Sequence, residues 1–223
     1  MDSFDASYDL SHVLRVRNVA IAIAKAEGIR DLELVEMAAL LHDVNDHKYI
    51  RKHDQNKRNS DRIHEILTKY HVESQKVESM NVIIDNMSFS KEIKLKQSEN
   101  EQEYTGYLSL FQSHPEMGCV QDADRLDAIG SIGIARTFCF GGSRGRSLFN
   151  CPVNKEEDGA LDHVQQWIAD DKSGDSTIGH FYEKLLILKD MMKTNAGKRM
   201  AEKRHDVMKL FLDSFLKEWT GNL

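Results

Sequence analysis

The stretch DLELVEMAALLHDV, Asp31–Val44, decides the fold. Leu34, Val35, Ala38, Ala39 and Leu41 recur at the three- and four-residue steps of a helix face. The run then ends on an imidazole beside a carboxylate, His42 and Asp43. Asp31 is placed to cap this helix through its side-chain oxygen. The end of the stretch is nearly all apolar, which predicts burial on most sides. Working upstream, Leu10, Val13, Leu14, Val16, Ala20, Ile21 and Ala24 predict a helix over roughly Asp9 to Glu27. Gly28 suits the left-handed position after its last turn. On this reading His12 sits on the polar side of the first helix, next to the apolar run.

Downstream, Asn45 to Asn59 is polar and reads as a loop, after which Ser60 caps a helix through Leu67. The next helix covers about Glu73 to Met87, with Val77, Met80, Ile83, Ile84 and Met87 turned inward. Lys91 to Glu103 is charged and weakly patterned, and is expected to be a connection. Pro115 suits a first helical turn, and that helix continues through Cys119, Val120, Ala123, Leu126 and Ile129. Gly130 and Gly133 either allow close packing there or break the helix. Phe140 to Gly159 is rich in glycine and polar residues and reads as an ordered surface loop carrying Arg144 and Arg146. Two late helices follow. Ile178 to Lys193 has Phe181, Leu185, Leu188 and Met192 inward, and Gly197 to Trp219 has Val207, Leu210, Phe211, Ser214, Phe215 and Trp219 inward. No alternating β-branched run occurs, and Pro115 and Pro152 are the only prolines. The expected fold is all-α. A single domain spans 1–223, with a core over about 7–138, a loop at 139–159 and a C-terminal helical extension at 160–223.

Composition narrows the partners. With 40% hydrophobic and 30% charged residues the chain is an ordinary folding sequence rather than a disordered one. No run of about 18 apolar residues is present, so no membrane span is expected. The acidic start MDSFDASYDL does not resemble a secretory signal. Cys119, Cys139 and Cys151 form no CxxC, which argues against a disulfide scaffold or a thiolate zinc site. Free thiols fit a reducing compartment, the cytoplasm or a eukaryotic nucleus. A net charge of -6 argues against a stable nucleic-acid partner but not against a nucleotide held by a metal and local cations. Exposed apolar positions on the late helices would allow a homodimer.

The chemistry-bearing residues are scattered. Adjacent His42 and Asp43 can share a metal only where the helix ends, because neighbours do not share a helix face. His12 and the acidic cluster VQDADRLDAIG, which holds Asp122, Asp124 and Asp127, offer further donors. Two imidazoles with two carboxylates suit Mn²⁺, Fe²⁺, Co²⁺ or Zn²⁺. From residue types alone, ordinary core or surface histidines are the better account of the pattern. Asp127 is three residues after Asp124 and can face the same pocket, there to bind a sugar hydroxyl or orient a ligand. Asp46 follows His42 by one helical turn. Lys48, Arg15, Arg125, Arg136 and Lys184 are candidate phosphate contacts, with a solvated charge or an internal brace as the alternative for each. Arg144 and Arg146 could close over a triphosphate, although their loop lacks the GxxxxGK[ST] layout. Arg204-His205-Asp206 reads as a salt-bridged structural face in mid-helix.

Three segments carry a resemblance: SHVLRV (Ser11–Val16), LLHDVNDHKY (Leu40–Tyr49) and VQDADRLDAIGSIGIARTF (Val120–Phe138). They resemble the HD domain superfamily of metal-dependent phosphohydrolases. The loop FGGSRGRSLF and the segment His180 to Gly221 look like its branch of the YpgQ and YedJ type, so the likeness covers nearly the whole chain. It implies an all-helical HD fold and one divalent metal on His12, His42, Asp43 and Asp124, with Asp122 the competing choice for the last position. Mn²⁺ is favoured, with Co²⁺, Ni²⁺, Fe²⁺, Mg²⁺ or Zn²⁺ as substitutes. The resemblance also implies that Asp46 positions or deprotonates the nucleophile. Two-metal relatives use extra histidines between the HD pair and the last Asp. Here His53, His64, His71 and His114 lie in that interval outside the bridging pattern, so one metal is expected, with His64 the residue best able to overturn that. The implied activity is hydrolysis of nucleoside or deoxynucleoside triphosphates to monophosphate and pyrophosphate. The alternatives are a nucleoside monophosphate phosphatase, or a weakly catalytic nucleotide-binding regulatory module.

Overall fold

The computed structural model describes residues 10–43, 59–98, 100–150 and 176–221. The described residues are helical, with a single isolated parallel bridge, Ser147 to Ser176, and no strand. The chain divides into two compact units, Val13–Ala123 and Met1–His12 with Asp124–Leu223. Their boundaries fall inside continuous helices.

The first unit holds most of α1 (Leu10–Ala26), then α2 (Leu32–Leu41), α3 (Asn59–Lys69), α4 (Ser74–Asp85), α5 (Phe89–Gln97), α6 (Glu101–Ser113) and most of α7 (Pro115–Asp127). In α1 the buried stripe is Val16, Ala20, Ile23 and Ala24. Leu10 and Leu14, expected inward, are exposed. The buried face is therefore rotated from the predicted one, and His12, four residues before Val16, belongs to it. Gly28 has φ +71, as its place after α1 requires. Asp31 caps α2, its carboxylate accepting from the Leu34 amide at 2.9 Å. Leu34, Val35, Ala38 and Ala39 are buried, and α2 packs on α4. The end of α2 is less enclosed than predicted, since Leu40 is 37% exposed. Helix α3 starts at Asn59, which places Ser60 inside its first turn rather than before it. The four inward residues of α4, Val77, Met80, Ile83 and Ile84, are all buried. At about 1.5–3 kcal/mol per side chain they favour folding by roughly 6–12 kcal/mol, an upper bound against an extended chain.

The segment expected to be a charged connection is instead α5 and the start of α6. Ser88 caps α5 by accepting from the Lys91 amide at 3.3 Å, and Asn100 caps α6 by accepting from the Gln102 amide at 3.2 Å. Packing then turns on a polar contact that apolar periodicity does not reveal. Buried Glu92 accepts from the Tyr107 hydroxyl at 3.0 Å, and Gln121 donates to that same hydroxyl at 3.0 Å. Hydrogen-bonded burial of this kind ties α5, α6 and α7 together.

In the second unit α7 ends at Asp127, and Gly130, with φ +73, opens α8 (Gly130–Ser143). Both readings of the glycine pair hold: the helix breaks before Gly130, and Gly133 packs so close to the turn that a Cβ would stand 2.3 Å from the Ala128 carbonyl oxygen. Helix α8 continues to Ser143, so the first residues of the expected loop are helical. The late helices are α9 (Thr177–Glu183) and α10 (Asn195–Trp219), with a 3-10 segment, Leu185–Met191, between them. The predicted single helix therefore breaks at Lys184. Leu185, Leu188 and Met191 are buried at three-residue spacing, which the 3-10 repeat aligns on one side. Helix α10 packs on α8 and on the 3-10 segment. Its buried positions are Ala196, Gly197, Ala201, Met208 and Leu212, whereas Val207 and Leu210, expected inward, are exposed. Phe211, Phe215 and Trp219 do turn to an aromatic file, with ring centroids 6.0 Å and 5.5 Å apart along the helix. No described helix is long and apolar enough to cross a membrane.

Candidate metal centre

Asp124 and Asp127 lie on one side of α7, three residues apart, and both reach the imidazole of His12. Asp127 Oδ2 is 2.7 Å from His12 Nδ1, and Asp124 Oδ1 is 3.6 Å from His12 Nε2. The Asp127 carboxylate is buried and also accepts from Arg136 Nη1 at 2.8 Å. A carboxylate so placed accepts from Nδ1–H, which sets the tautomer and leaves the Nε2 lone pair facing Asp124. Asp127 and Asp124 thus approach the same imidazole, from its two nitrogens. The expectation that His12 sits on the polar side of α1 does not hold, because its side chain is almost wholly buried.

His42 is the C-cap of α2 and is buried. Its Nδ1 donates to the Ala39 carbonyl at 2.8 Å, since a carbonyl can only accept. That bond again leaves Nε2 as the lone-pair nitrogen, and Asp43 Oδ2 lies 3.5 Å from it. The helix ends here, as metal sharing by adjacent residues requires.

His12, His42 and Asp124 each offer one ligand atom, and the three atoms lie within 4.8 Å of one another. Among the described residues this is the group of histidine, cysteine, aspartate and glutamate side chains able to hold a metal ion. Two donors on one ion at about 2.1 Å sit roughly 3.0–3.4 Å apart in octahedral or tetrahedral geometry. Separations of 3.5 and 3.6 Å are close to that and too long for good hydrogen bonds. Asp124 belongs to the group, whereas Asp43 and the fully buried Asp122 do not. The Asp124 side chain is 37% exposed, which leaves the group open on one side.

Asp46 and Lys48 lie outside the described residues, as does His53. Arg15 is half-buried one turn after His12. Arg125 is buried and donates to the Met191 carbonyl at 2.8 Å, which makes it an internal brace. Arg136 is committed to Asp127. Arg144 and Arg146 lie over the ring of Phe140, their guanidinium carbons 5.4 and 5.3 Å from its centroid. Lys184 caps α9, and Arg146 and Lys184 both act electrostatically on His180. Arg204 takes a contact that the sequence reading missed. It donates to the Leu126 carbonyl, so it serves the α7 end rather than a salt-bridged face on its own helix. His64 and His71 line a cavity of about 370 Å³ with Thr68, Ser74, Glu78 and Asn81, apart from the metal-ligand group.

The sequence pattern of the HD domain family matches residues 9–129, which include all four expected ligands. The uncharacterized protein YpgQ of Bacillus subtilis is 33% identical over 216 residues, 97% of this chain and 86% of that protein. The chain belongs to the HD domain family. Solved structures share the fold over nearly the full length. The structure of YpgQ in complex with ADP has a TM-score of 0.67 at 30% identity, over 95% of this chain and 90% of that one. A Lactobacillus plantarum protein gives 0.69 at 31% identity, covering 100% and 92%. An HD-superfamily hydrolase from Bacillus thuringiensis gives 0.64 at 36% identity, covering 95% and 86%.

Proposed function

We propose that this HD-domain protein is a metal-dependent phosphohydrolase of nucleotides, and that it cleaves nucleoside or deoxynucleoside triphosphates to monophosphate and pyrophosphate. The observation that carries the reading is the His12, His42 and Asp124 group, with both imidazoles fixed through Nδ1 and both Nε2 atoms offered. The nitrogen and oxygen donor set fits a divalent transition ion held by His12, His42, Asp43 and Asp124, and the choice of Mn²⁺ among such ions follows the family resemblance. The nucleotide assignment draws on YpgQ, whose structure holds ADP.

Once bound, such an ion supplies Lewis acidity, which makes water more acidic and draws charge from a phosphoryl oxygen. The chain's own residues do the rest. Asp127, braced by Arg136, holds His12 in one orientation, and the Ala39 carbonyl does the same for His42. Asp46 is assigned as the group that positions water and takes its proton, and Lys48 as a phosphate contact. Arg15, Arg144, Arg146 and Lys184 are the further cations proposed to hold the phosphate chain. Water oxygen bonds to the α-phosphorus, the α–β bridging bond breaks, and pyrophosphate leaves. The test is a screen of the purified chain against nucleoside mono-, di- and triphosphates with Mn²⁺, Co²⁺, Ni²⁺, Mg²⁺ and Zn²⁺, with phosphate and pyrophosphate assayed separately. Pyrophosphate release from triphosphates is the expected result. Phosphate release from monophosphates alone would replace this reading with a nucleotidase, and silence on every substrate would replace it with a binding module.

A further inference from the structure

The end of α7 is held from a distance in sequence. Arg204, in the middle of α10, donates to the Leu126 carbonyl, one of the last carbonyls of α7. That carbonyl also accepts from the Ile129 amide at 3.2 Å; it carries the partial negative charge of a helix C-terminus, so the guanidinium adds a second, charge-assisted bond there. The next residue is Asp127, which holds His12. The aliphatic stem of Arg204 occupies the space above Gly130, where a built Cβ would lie 2.9 Å from both its Cβ and its Cγ. This contact accounts for the glycine together with its φ of +73. The Asp127 charge also acts on Arg204, countering the burial that lowers the guanidinium from its ordinary value. Asp127 is thus balanced by one arginine in direct contact, Arg136, and by a second that clamps the turn beside it.

We propose that Arg204 is a positioning residue for the metal centre: it acts through Leu126 and Asp127 to fix the imidazole of His12. The proposal rests on the reading of His12 as a metal ligand. It places a determinant of metal affinity in α10, outside the HD pattern at residues 9–129. A carboxylate behind a metal-binding histidine is worth about 10–100-fold in affinity. Losing the clamp on that carboxylate should therefore weaken Mn²⁺ binding by about 10-fold.

The experiment is a double-mutant cycle on the full chain. Mn²⁺ affinity is measured by electron paramagnetic resonance, and folding by circular dichroism. Arg204→Met should lose about 10-fold in affinity, and Arg204→Lys, which keeps charge and stem, should recover most of it. Arg204→Gln keeps a donor for the Leu126 carbonyl and is the variant to use if the Met form does not fold; its effect should have the same sign. In an Asp127→Asn background the Arg204 substitutions should change affinity by less than about two-fold, because the path to His12 is already cut. Unchanged affinity in a folded Arg204 variant would overturn the proposal, as would an undiminished loss in the Asp127→Asn background. The metal-free proton resonance of His12 Nδ1–H, assigned with His12→Gln, separates the two readings. A chain that takes up no Mn²⁺ but whose His12 signal shifts in the Arg204 variants refutes the metal assignment and upholds the positioning role.

Discussion

Gly133→Ala sets two known effects against each other. In a helix interior, alanine for glycine normally stabilises by about 0.5–1 kcal/mol. Gly133 is in the first turn of α8, and a Cβ there would lie 2.3 Å from the Ala128 carbonyl oxygen and 2.4 Å from its carbon. Both are backbone atoms in the turn between α7 and α8, so no rotamer change can yield the missing space. Relieving the overlap means moving the turn or the start of α8, and overpacking of this kind costs about 1–3 kcal/mol or more. The net expectation is a loss of roughly 1–2 kcal/mol once the propensity gain is subtracted. Gly106 is the internal control. It lies in the middle of α6 with nothing within 4 Å of a built Cβ, so Gly106→Ala should stabilise by about 0.5–1 kcal/mol. Urea unfolding followed by circular dichroism measures both, with unchanged slopes required for the comparison. The Gly133→Ala midpoint should fall and the Gly106→Ala midpoint should rise. A Gly133→Ala chain as stable as the parent would refute the close approach. The strain falls where Asp127 and Arg136 are placed, so Mn²⁺ affinity should drop in Gly133→Ala and stay level in Gly106→Ala.

Asp124→Ala should remove stoichiometric Mn²⁺ binding while leaving the helical circular dichroism unchanged; full metal content in that variant would discard the ligand set. Burial and nearby carboxylates, Asp122 first, push the Cys119 thiol up to about 12, whereas Cys139 is exposed. Mass spectrometry after iodoacetamide treatment of the native chain at pH 8 should find Cys139 modified well before Cys119, and equal rates would contradict the burial. Burial lowers His180 from its ordinary 6.5, with Glu183 opposing and Lys184 and Arg146 assisting. Its neutral form is favoured on folding, so its contribution is intact above about pH 6.5 and is lost as the pH falls through the lower, folded value. His180→Gln should flatten the decline in stability between about pH 6.5 and 5, and an unaltered pH profile would rule that out.

The helices with a clean apolar period were legible in the sequence. The inward set of α4 and the Asp31 cap of α2 were readable because burial and capping there follow from near neighbours. Segment 91–103 was not, since α5 and α6 are joined by a carboxylate, a phenol and an amide that periodicity counts as solvent-facing. The late region misread for a related reason: a three-residue burial repeat mimics an α-helical stripe over so short a run, which hid the break at Lys184. At the site, His12, His42 and Asp124 could be named from family motifs, but their partners could not. Nothing local to Arg204 points to a carbonyl 78 positions earlier in the chain, and nothing in ALLHD announces that the Ala39 carbonyl will aim the imidazole of His42.

That last bond gives His42 two duties in one ring. The Ala39 carbonyl is among those that α2 leaves unanswered at its end, and the imidazole answers it. The stop signal of the helix and the nitrogen proposed to face the metal are opposite edges of the same side chain. Fraying of the last turn of α2 would swing the nitrogen away, and an ion seated on it would hold the turn closed. Occupancy of the centre and integrity of that helix end should therefore rise and fall together, with amide exchange near Leu40–Asp43 slowing when Mn²⁺ is added.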